Sequence, residues 1–102
     1  MTDGVIVTAV SRIKPGAYDA CMDNMKERIP ETMAFGGLRD LLVLVDRPTP
    51  TRILTVQHWD SEEAQAKYLK WRMDTGVFNN LQVFFKEPPE FEKWTIWSRA
   101  QR

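Results

Sequence analysis

The chain has 102 residues, with 14 basic and 14 acidic side chains and a formal net charge of zero. This length predicts a single domain over residues 1–102. The balanced charge provides no basic surplus for binding nucleic acid or anionic lipid, and a hydrophobic content of 43% excludes a disordered chain.

The first half of the chain predicts a strand, a helix and a second strand. Val5 to Ile13 is rich in β-branched residues, which is typical of a strand. Pro15 suits the first turn of the next helix, because its missing N–H would be unpaired there. Apolar residues then recur at helical spacing, at Tyr18, Cys21, Met22, Met25 and Ile29. We expect Pro30 to kink this helix or end its regular part, and a second strand to cover Leu38 to Asp46.

A third strand is predicted over Arg52 to Trp59. The short link at 47–51 contains two prolines, which cannot donate to a sheet ladder, so the second and third strands should form an antiparallel hairpin. A helix then begins, with Asp60 or Ser61 as its N-cap, and runs to about Arg72.

The remaining elements complete a recognisable order. Asp74 to Phe85 predicts a shorter, less regular helical piece, and Phe91 to Ser98 predicts the last strand. The order strand, helix, strand, strand, helix, strand indicates an α+β, ferredoxin-like βαββαβ fold. Both helices should cover one face of a four-stranded antiparallel sheet.

Both faces of this sheet are predicted to be apolar. Val5 to Val10 and Leu41 to Val45 carry apolar side chains at odd and even positions alike. Because the helices can bury only one face, the other needs a partner, and a second copy of the chain is the simplest one. We therefore expect a homodimer through the open face of the sheet. The alternative is a monomer that exposes an apolar surface.

Three features of the sequence occur together. They are K-P-G at Lys14 to Gly16, W-D-S-E-E-A at Trp59 to Ala64, and Y-L-K-W-R at Tyr68 to Arg72 followed by F-x-x-L at Phe78 to Leu81. This combination resembles the antibiotic biosynthesis monooxygenase family of dimeric α+β barrels, over about Val5 to Ser98. The resemblance implies that barrel fold. The superfamily includes cofactor-independent quinone-forming monooxygenases, haem-degrading enzymes and isomerase-like proteins.

The resemblance to the haem-degrading members does not extend to their site. Their strand asparagine, helix tryptophan and axial histidine match Ala9, Tyr68 and about Gln82 here. Glutamine is a poor axial ligand where imidazole is normal, so we expect no haem. One histidine and one cysteine also cannot supply an ordinary metal site, so no metal is expected. A nicotinamide or flavin fold needs more chain than this, so no other cofactor is expected either.

The resemblance to the quinone-forming monooxygenases is partial. In that branch an asparagine four residues before the strand-end tryptophan, the tryptophan itself and a tyrosine six residues after it line the pocket. The matching residues here are Thr55, Trp59 and Gln65, and Tyr68 could substitute one turn further along.

Four side chains are candidates for substrate binding: Trp59, Tyr68, Trp71 and Arg72. The last three follow Ala64 at i, i+4, i+7 and i+8, so they share one helix face. Arg72 could offer its planar donor fork to a carboxylate, phenolate or quinone oxygen. The alternative is aromatic packing in the core, with Arg72 solvated at the edge.

Trp59, Tyr68 and His58 are the candidates for a catalytic role. His58 is the only histidine, the residue type that most readily exchanges protons near neutral pH. However, neighbouring strand residues point to opposite faces, so His58 and Trp59 cannot line one pocket unless the strand bulges. The alternatives are an interface position for His58 and a core position for Trp59.

These observations support two main hypotheses. The first is a small cofactor-independent monooxygenase that acts on an aromatic or polyphenolic molecule. The second is a non-catalytic small-molecule binder or accessory barrel, and an isomerase or lyase with His58 as base is a weaker third. A cytoplasmic location is expected, because Asp3 interrupts any basic leader and the apolar run Leu41 to Val45 is too short to cross a membrane.

Overall fold

The computed structural model describes residues 3–76 and 82–102. Its elements, in chain order, are β1 (Val5–Arg12), α1 (Tyr18–Phe35), β2 (Leu38–Val45), β3 (Arg52–Trp59), α2 (Glu62–Asp74) and β4 (Glu90–Trp94). The strands form one antiparallel sheet in the order β2-β3-β1-β4. This topology confirms the predicted βαββαβ, ferredoxin-like α+β fold.

The start and end of α2 are set by side-chain hydrogen bonds. Ser61 is the N-cap, and its hydroxyl accepts from the backbone N–H of Ala64 at 3.0 Å. Asp60, the other candidate for this cap, instead pairs with Arg39 at 2.6 Å. After the helix, the hydroxyl of Thr75 donates to the carbonyl of Trp71 at 2.8 Å. The position of α2 after β3 is therefore fixed by local chemistry.

The sequence predicted that Pro30 would kink helix α1 or end its regular part, and the helix does not end there but continues to Phe35. An interior proline removes one helix hydrogen bond and costs about 3 kcal/mol. Contacts in the last turn offset this cost. Thr32 bonds to the hydroxyl of Tyr68 at 2.8 Å, and the ring of Phe35 lies 5.6 Å from that of Tyr68 and 5.2 Å from that of Trp71. Tertiary packing against α2 thus keeps the helix intact beyond Pro30.

The segment after α2 is only partly described. Helix α2 itself extends to Asp74, and the F-x-x-L piece at Phe78 to Leu81, with much of the predicted short helix, lies outside the described residues. The chain next returns to the end of β1, where the backbone N–H of Lys14 donates to the carbonyl of Phe84 at 2.8 Å. Strand β4 then starts at Glu90 and ends at Trp94, short of the predicted Ser98.

The two faces of the sheet differ in what covers them. The helix-facing side is buried in two clusters, one around Val5, Val7, Leu38 and Trp59, the other around Ile13, Cys21 and Ile53. On the opposite side, Leu42 is 49% exposed, Leu44 44% and Trp94 51%. Both faces are therefore apolar, as predicted, and this chain covers one of them. Within the described ranges, no helix has the length and hydropathy to span a membrane.

The core around Ile53 provides a test of this packing. Its side chain is 1% exposed, so Ile53→Ala should lower the free energy of unfolding by about 2–5 kcal/mol, whereas Ile53→Val should cost about 0.5–1.5 kcal/mol. Urea denaturation at one protein concentration would measure both. The exposed control Lys67→Ala should stay within about 0.5 kcal/mol of the parent protein. Equal losses for the two Ile53 variants would contradict a close-packed core.

Candidate functional site

A cavity of about 140 Å³ lies between the helices and the sheet. We call it the interlayer cavity. Its sheet wall carries Ala9, Ser11, Thr55 and Gln57, and its α2 wall carries Tyr68, Leu69 and Arg72. Met25 of α1, Gln82, Phe85, Pro89 and Phe91 complete the lining. Most of this surface is apolar, with a few polar groups on the two facing walls, which is the usual composition of a small-molecule site.

The cavity has a second lobe of about 130 Å³. The two lobes have Met25, Thr55, Gln57, Tyr68 and Arg72 in common, and the second lobe extends towards Thr32, Leu41 and Val43. A protein cavity of about 150 Å³ is large enough for one benzene ring. The two lobes therefore match a molecule of one or two rings better than a larger polycyclic one.

Arg72 is buried at the boundary between the two helices. It is 2% exposed, and its Nε donates to the Tyr68 hydroxyl at 2.6 Å. Its Nη2 donates to the Thr32 hydroxyl at 2.6 Å, and its Nη1 to the Glu31 carboxylate at 3.2 Å. Arg72 is thus not solvated at an edge. It places a positive charge in the wall of a largely apolar cavity, where it acts more strongly than in water.

The protons in this network can be assigned by counting donors and acceptors. Thr32 donates its hydroxyl proton to the carbonyl of Arg28 at 3.1 Å, so it accepts the proton of the Tyr68 hydroxyl. Tyr68 in turn accepts from Arg72. An arginine side chain has five N–H donors, and a further one on Nη2 reaches the carbonyl of Arg28 at 3.4 Å. Contacts within the described residues thus use four of the five N–H groups of Arg72, and the fifth is on Nη1.

Trp59 and Trp71 are not among the described residues that line the cavity. Trp59 is fully buried behind Tyr68, with the two ring centroids 5.2 Å apart. A side chain at Gly37 would meet Ala64 at 2.8 Å, so the space beside Ala64 is filled by backbone rather than left open for a ligand. Trp71 lies on the far side of Arg72, with the guanidinium 4.9 Å from its ring centroid. The structure thus brings Tyr68 and Arg72 together at the cavity and places both tryptophans behind them.

His58 lies on the open face of the sheet, away from the cavity. It pairs across the sheet with Ile6 and Asp40, and its Nε2 contacts the carbonyl of Asp3 and, at 3.4 Å, Nη1 of Arg39. The alternation along β3 therefore separates His58 from Trp59, as the sequence predicted. Within the described residues, no cluster of histidine, cysteine or carboxylate side chains could hold a metal ion.

Gln57 is a cavity residue that the sequence reasoning did not single out. It shares the helix-facing side of β3 with Thr55 and Trp59, and its carbonyl oxygen accepts from the indole N–H of Trp59 at 2.8 Å. The signal was a polar residue two positions before Trp59, on the side of the strand that should be apolar. Three positions that the family comparison had matched, Ala9, Thr55 and Gln82, also line the cavity.

The thiol of Cys21 takes no part in this site. Its side chain is fully buried in the cluster with Ile13 and Ile53. Burial raises the pKa of the Cys21 thiol, so the neutral, poorly nucleophilic form prevails at neutral pH.

The ion pair between Arg72 and Glu31 should matter more to stability than its exposed carboxylate suggests. Glu31→Gln leaves the buried guanidinium with neutral acceptors alone, and we expect a loss of about 1–3 kcal/mol in the free energy of unfolding. Glu27→Gln is the matched control, because Glu27 belongs to the same helix but pairs only at the surface, with Arg28. Urea denaturation should show a change below about 0.5 kcal/mol for this control. Equal effects of the two substitutions would contradict the buried role of Arg72.

The sequence model of one family, described as antibiotic biosynthesis monooxygenase, matches residues 4–72 of the chain. No curated protein matches the chain.

Several solved structures share the fold. A conserved protein from Methanosarcina mazei Go1 has 20% identity and a TM-score of 0.81, over 89% of this chain and 90% of its own. A structure described as an antibiotic biosynthesis monooxygenase has 16% identity and a TM-score of 0.82, over 92% and 99%. A protein of unknown function from Nitrosomonas europaea has 17% identity and a TM-score of 0.79, over 96% and 93%.

At these identities the structures establish the fold alone, and it is that of the dimeric α+β barrels. The family assignment comes from the sequence, because the matched residues cover β1 through most of α2, including every residue of the Arg72 network. The chain belongs to the antibiotic biosynthesis monooxygenase family.

Proposed function

We propose that this protein is a cofactor-independent monooxygenase that oxidises an aromatic or polyphenolic molecule of one or two rings. The observation that supports this most directly is the buried Arg72 in the wall of the apolar interlayer cavity. A phenol that enters such a cavity leaves water behind, and its anion needs a fixed positive charge for stabilisation. Arg72 provides that charge beside a space of matching size.

The proposed reaction needs no bound cofactor, because the substrate itself reduces dioxygen. The phenol loses its proton to solvent, and the phenolate transfers one electron to dioxygen. The two radicals combine at a ring carbon to give a peroxide anion, which takes up one proton to become a hydroperoxide. Loss of water from the hydroperoxide leaves the quinone. One oxygen atom ends in the quinone and the other in water, and the substrate supplies all the electrons, so a phenol and dioxygen become a quinone and water.

The protein contributes binding, desolvation and electrostatics to these steps. The apolar lining excludes water, and Arg72 stabilises the phenolate through its charge and the remaining N–H on Nη1. The Tyr68 ring forms part of the wall, and its hydroxyl orients the guanidinium by accepting from Nε at 2.6 Å. His58 faces the other side of the sheet, so the proposal assigns it no role as a base.

We also propose that two copies of the chain pack through the open faces of their sheets. The family fold is typically dimeric. The open face carries apolar residues on all four strands, among them Ile6, Leu44, Leu54, Val56 and Trp94. Burying such a surface against a second copy removes it from water, which is the main driving force for stable association.

The oxygenase proposal predicts dioxygen consumption with simple phenols. Incubation with 1-naphthol should give oxygen uptake and quinone absorbance above the spontaneous rate. Arg72→Met should lower that rate about a hundredfold, because it removes the charge beside the developing anion. Lys70→Met is the matched control: Lys70 lies two residues away on α2, pairs with Asp74 at the surface and should keep the parent rate.

The outcome also separates the oxygenase from the alternative function. A rate equal to the spontaneous one would contradict the oxygenase. If naphthol still binds in that case, the non-catalytic binder becomes the better description. Equal rates for the Arg72→Met variant and the parent protein would contradict the role given to Arg72.

The dimer predicts a concentration-independent mass of two chains at micromolar protein in sedimentation velocity. Leu54 lies on the central strand β3, opposite Val10 and Leu44 on the open face. Leu54→Lys should therefore produce single chains, because it would bury an unpaired charge in the interface. Glu63→Lys on the exposed surface of α2 is the control and should leave the dimer intact. Single chains for the parent protein would contradict the interface.

A further inference from the structure

We infer that Thr55 and Gln57 form a second recognition point in the interlayer cavity, one that binds an oxygen acceptor of the ligand. We call this pair the β3 ledge. We further infer that Trp59 is a positioning residue that acts on the ligand through Gln57. The inference rests on the proposed function in one respect, since it takes the same cavity as the binding site.

The orientation of the Gln57 amide follows from its partner. The indole nitrogen of Trp59 can only donate, so the Gln57 atom at 2.8 Å must be the carbonyl oxygen. The amide nitrogen is therefore directed away from Trp59, and the side chain lines both lobes of the cavity. Among the described residues, no protein group accepts from this nitrogen. Gln57 thus presents N–H donors to whatever occupies the cavity.

Thr55 supplies an independent observation at the same place. Its hydroxyl oxygen is buried and has no hydrogen-bond partner among the described residues. Thr55 lies two residues before Gln57 on the same side of β3, and it also lines both lobes. Buried hydroxyl groups are nearly always satisfied in native proteins. Because this oxygen is inaccessible to water, the Thr55 side chain must rotate before a ligand oxygen beside Gln57 can bond to it.

The two walls of the cavity therefore select different atoms of one ligand. The α2 wall offers the positive charge of Arg72, which suits a phenolate oxygen. The ledge on the sheet wall offers neutral donors, the Gln57 amide and, after rotation of its side chain, the Thr55 hydroxyl, which suit a carbonyl oxygen. The geometry points to a ligand of one or two rings that carries a phenol and, separated from it, a carbonyl or similar acceptor. A quinone or hydroxyketone has this pattern.

Trp59 contributes without touching the ligand. Its ring is fully buried behind Tyr68 and is absent from the described lining of the cavity. Its N–H holds the carbonyl end of Gln57, which leaves the donor end for the ligand. If that N–H were removed, the amide could turn over and present its oxygen to the ligand carbonyl, which would repel it.

A matched pair of probes tests the ledge. The compounds 5-hydroxy-1-tetralone and 5,6,7,8-tetrahydro-1-naphthol have the same phenol on two rings and differ by one carbonyl oxygen. Titration calorimetry on the parent protein should show the ketone binding about two- to tenfold more tightly, the effect of one or two neutral hydrogen bonds. The compounds 6-hydroxy-1-tetralone and 7-hydroxy-1-tetralone, each compared with the phenol that lacks the carbonyl oxygen, test other spacings of the two oxygens. No preference for any ketone over its matched phenol would overturn the ledge.

Three variants identify the residues responsible. Gln57→Glu keeps an acceptor for Trp59 but removes the donors, so the preference should reverse in favour of the phenol. Gln57→Leu should bring the ratio of the two affinities to about one. Thr55→Val should reduce the ratio and, because it removes an unsatisfied buried group, should not lower the urea midpoint of the unliganded protein. A ratio unchanged in both Gln57 variants would overturn the inference.

A double-mutant cycle tests the role of Trp59. When introduced into the parent protein, Trp59→Phe should lower the ratio of ketone affinity to phenol affinity. In the Gln57→Leu background it should have no further effect on this ratio. Trp71→Phe, an aromatic truncation away from the cavity lining, should leave the ratio unchanged. A general loss of packing would instead weaken both probes equally and shift the urea midpoint. An unchanged ratio in Trp59→Phe would overturn the positioning role.

Failure of the ledge and failure of the oxygenase are distinguishable. An intact ratio without oxygen uptake would support the ledge and overturn the oxygenase. If oxygen is consumed but the ratio of ketone affinity to phenol affinity is the same in the Gln57 variants as in the parent protein, the ledge is overturned and the oxygenase is supported. If neither probe bound to the parent protein, the cavity would not be a binding site and both would be overturned.

Discussion

The structure depends on one buried cation. Arg72 is almost inaccessible to water, yet it carries a charge that must be neutralised or fully hydrogen-bonded. Its partners come from α1 as well as α2, so the guanidinium holds together the two helices that cover the sheet. The same bonds keep the last turn of α1 in place beyond Pro30. An apolar side chain could fill this volume at less cost, so the retained charge is best explained by what lies beside it, the interlayer cavity.

The alternation along β3 decides which residues share that cavity. Thr55, Gln57 and Trp59 face the helices, whereas Leu54, Val56 and His58 face the open side of the sheet. A shift of one residue in the pairing would exchange the two sets, so the ladder with β1 fixes the chemistry of the cavity as well as the fold. The most reactive side chain by type, His58, is thereby excluded from the cavity, and a less conspicuous amide takes part in its lining.

Sequence patterns were sufficient for the fold because it follows from periods of two and 3.6 residues and from the turn residues between them. They also placed Tyr68 and Arg72 on one helix face. At Pro30 the patterns left open whether helix α1 would kink or end, because the penalty of an interior proline is local but the compensating contacts of Thr32 and Phe35 are tertiary. The patterns also could not show how deeply each aromatic side chain is buried. Trp59 and Tyr68 are both aromatic residues near the helix–sheet junction, and only the structure shows that Tyr68 lines the cavity while Trp59 is fully buried outside its described lining.

Polar residues on a buried sheet face are costly, and their distribution here is uneven. Strand β1 places Val5, Val7 and Ala9 on the helix-facing side, with the polar Ser11 only near its end, whereas β3 places Thr55 and Gln57 between Ile53 and Trp59 on that same side. If β3 served packing alone, its central positions would be apolar like those of β1, since a buried hydroxyl without a partner lowers stability. Departures from the local pattern tend to mark functional sites. Thr55, Gln57 and Arg72 all line the interlayer cavity, and under the proposed function the charge on α2 and the donors on β3 act on one ligand.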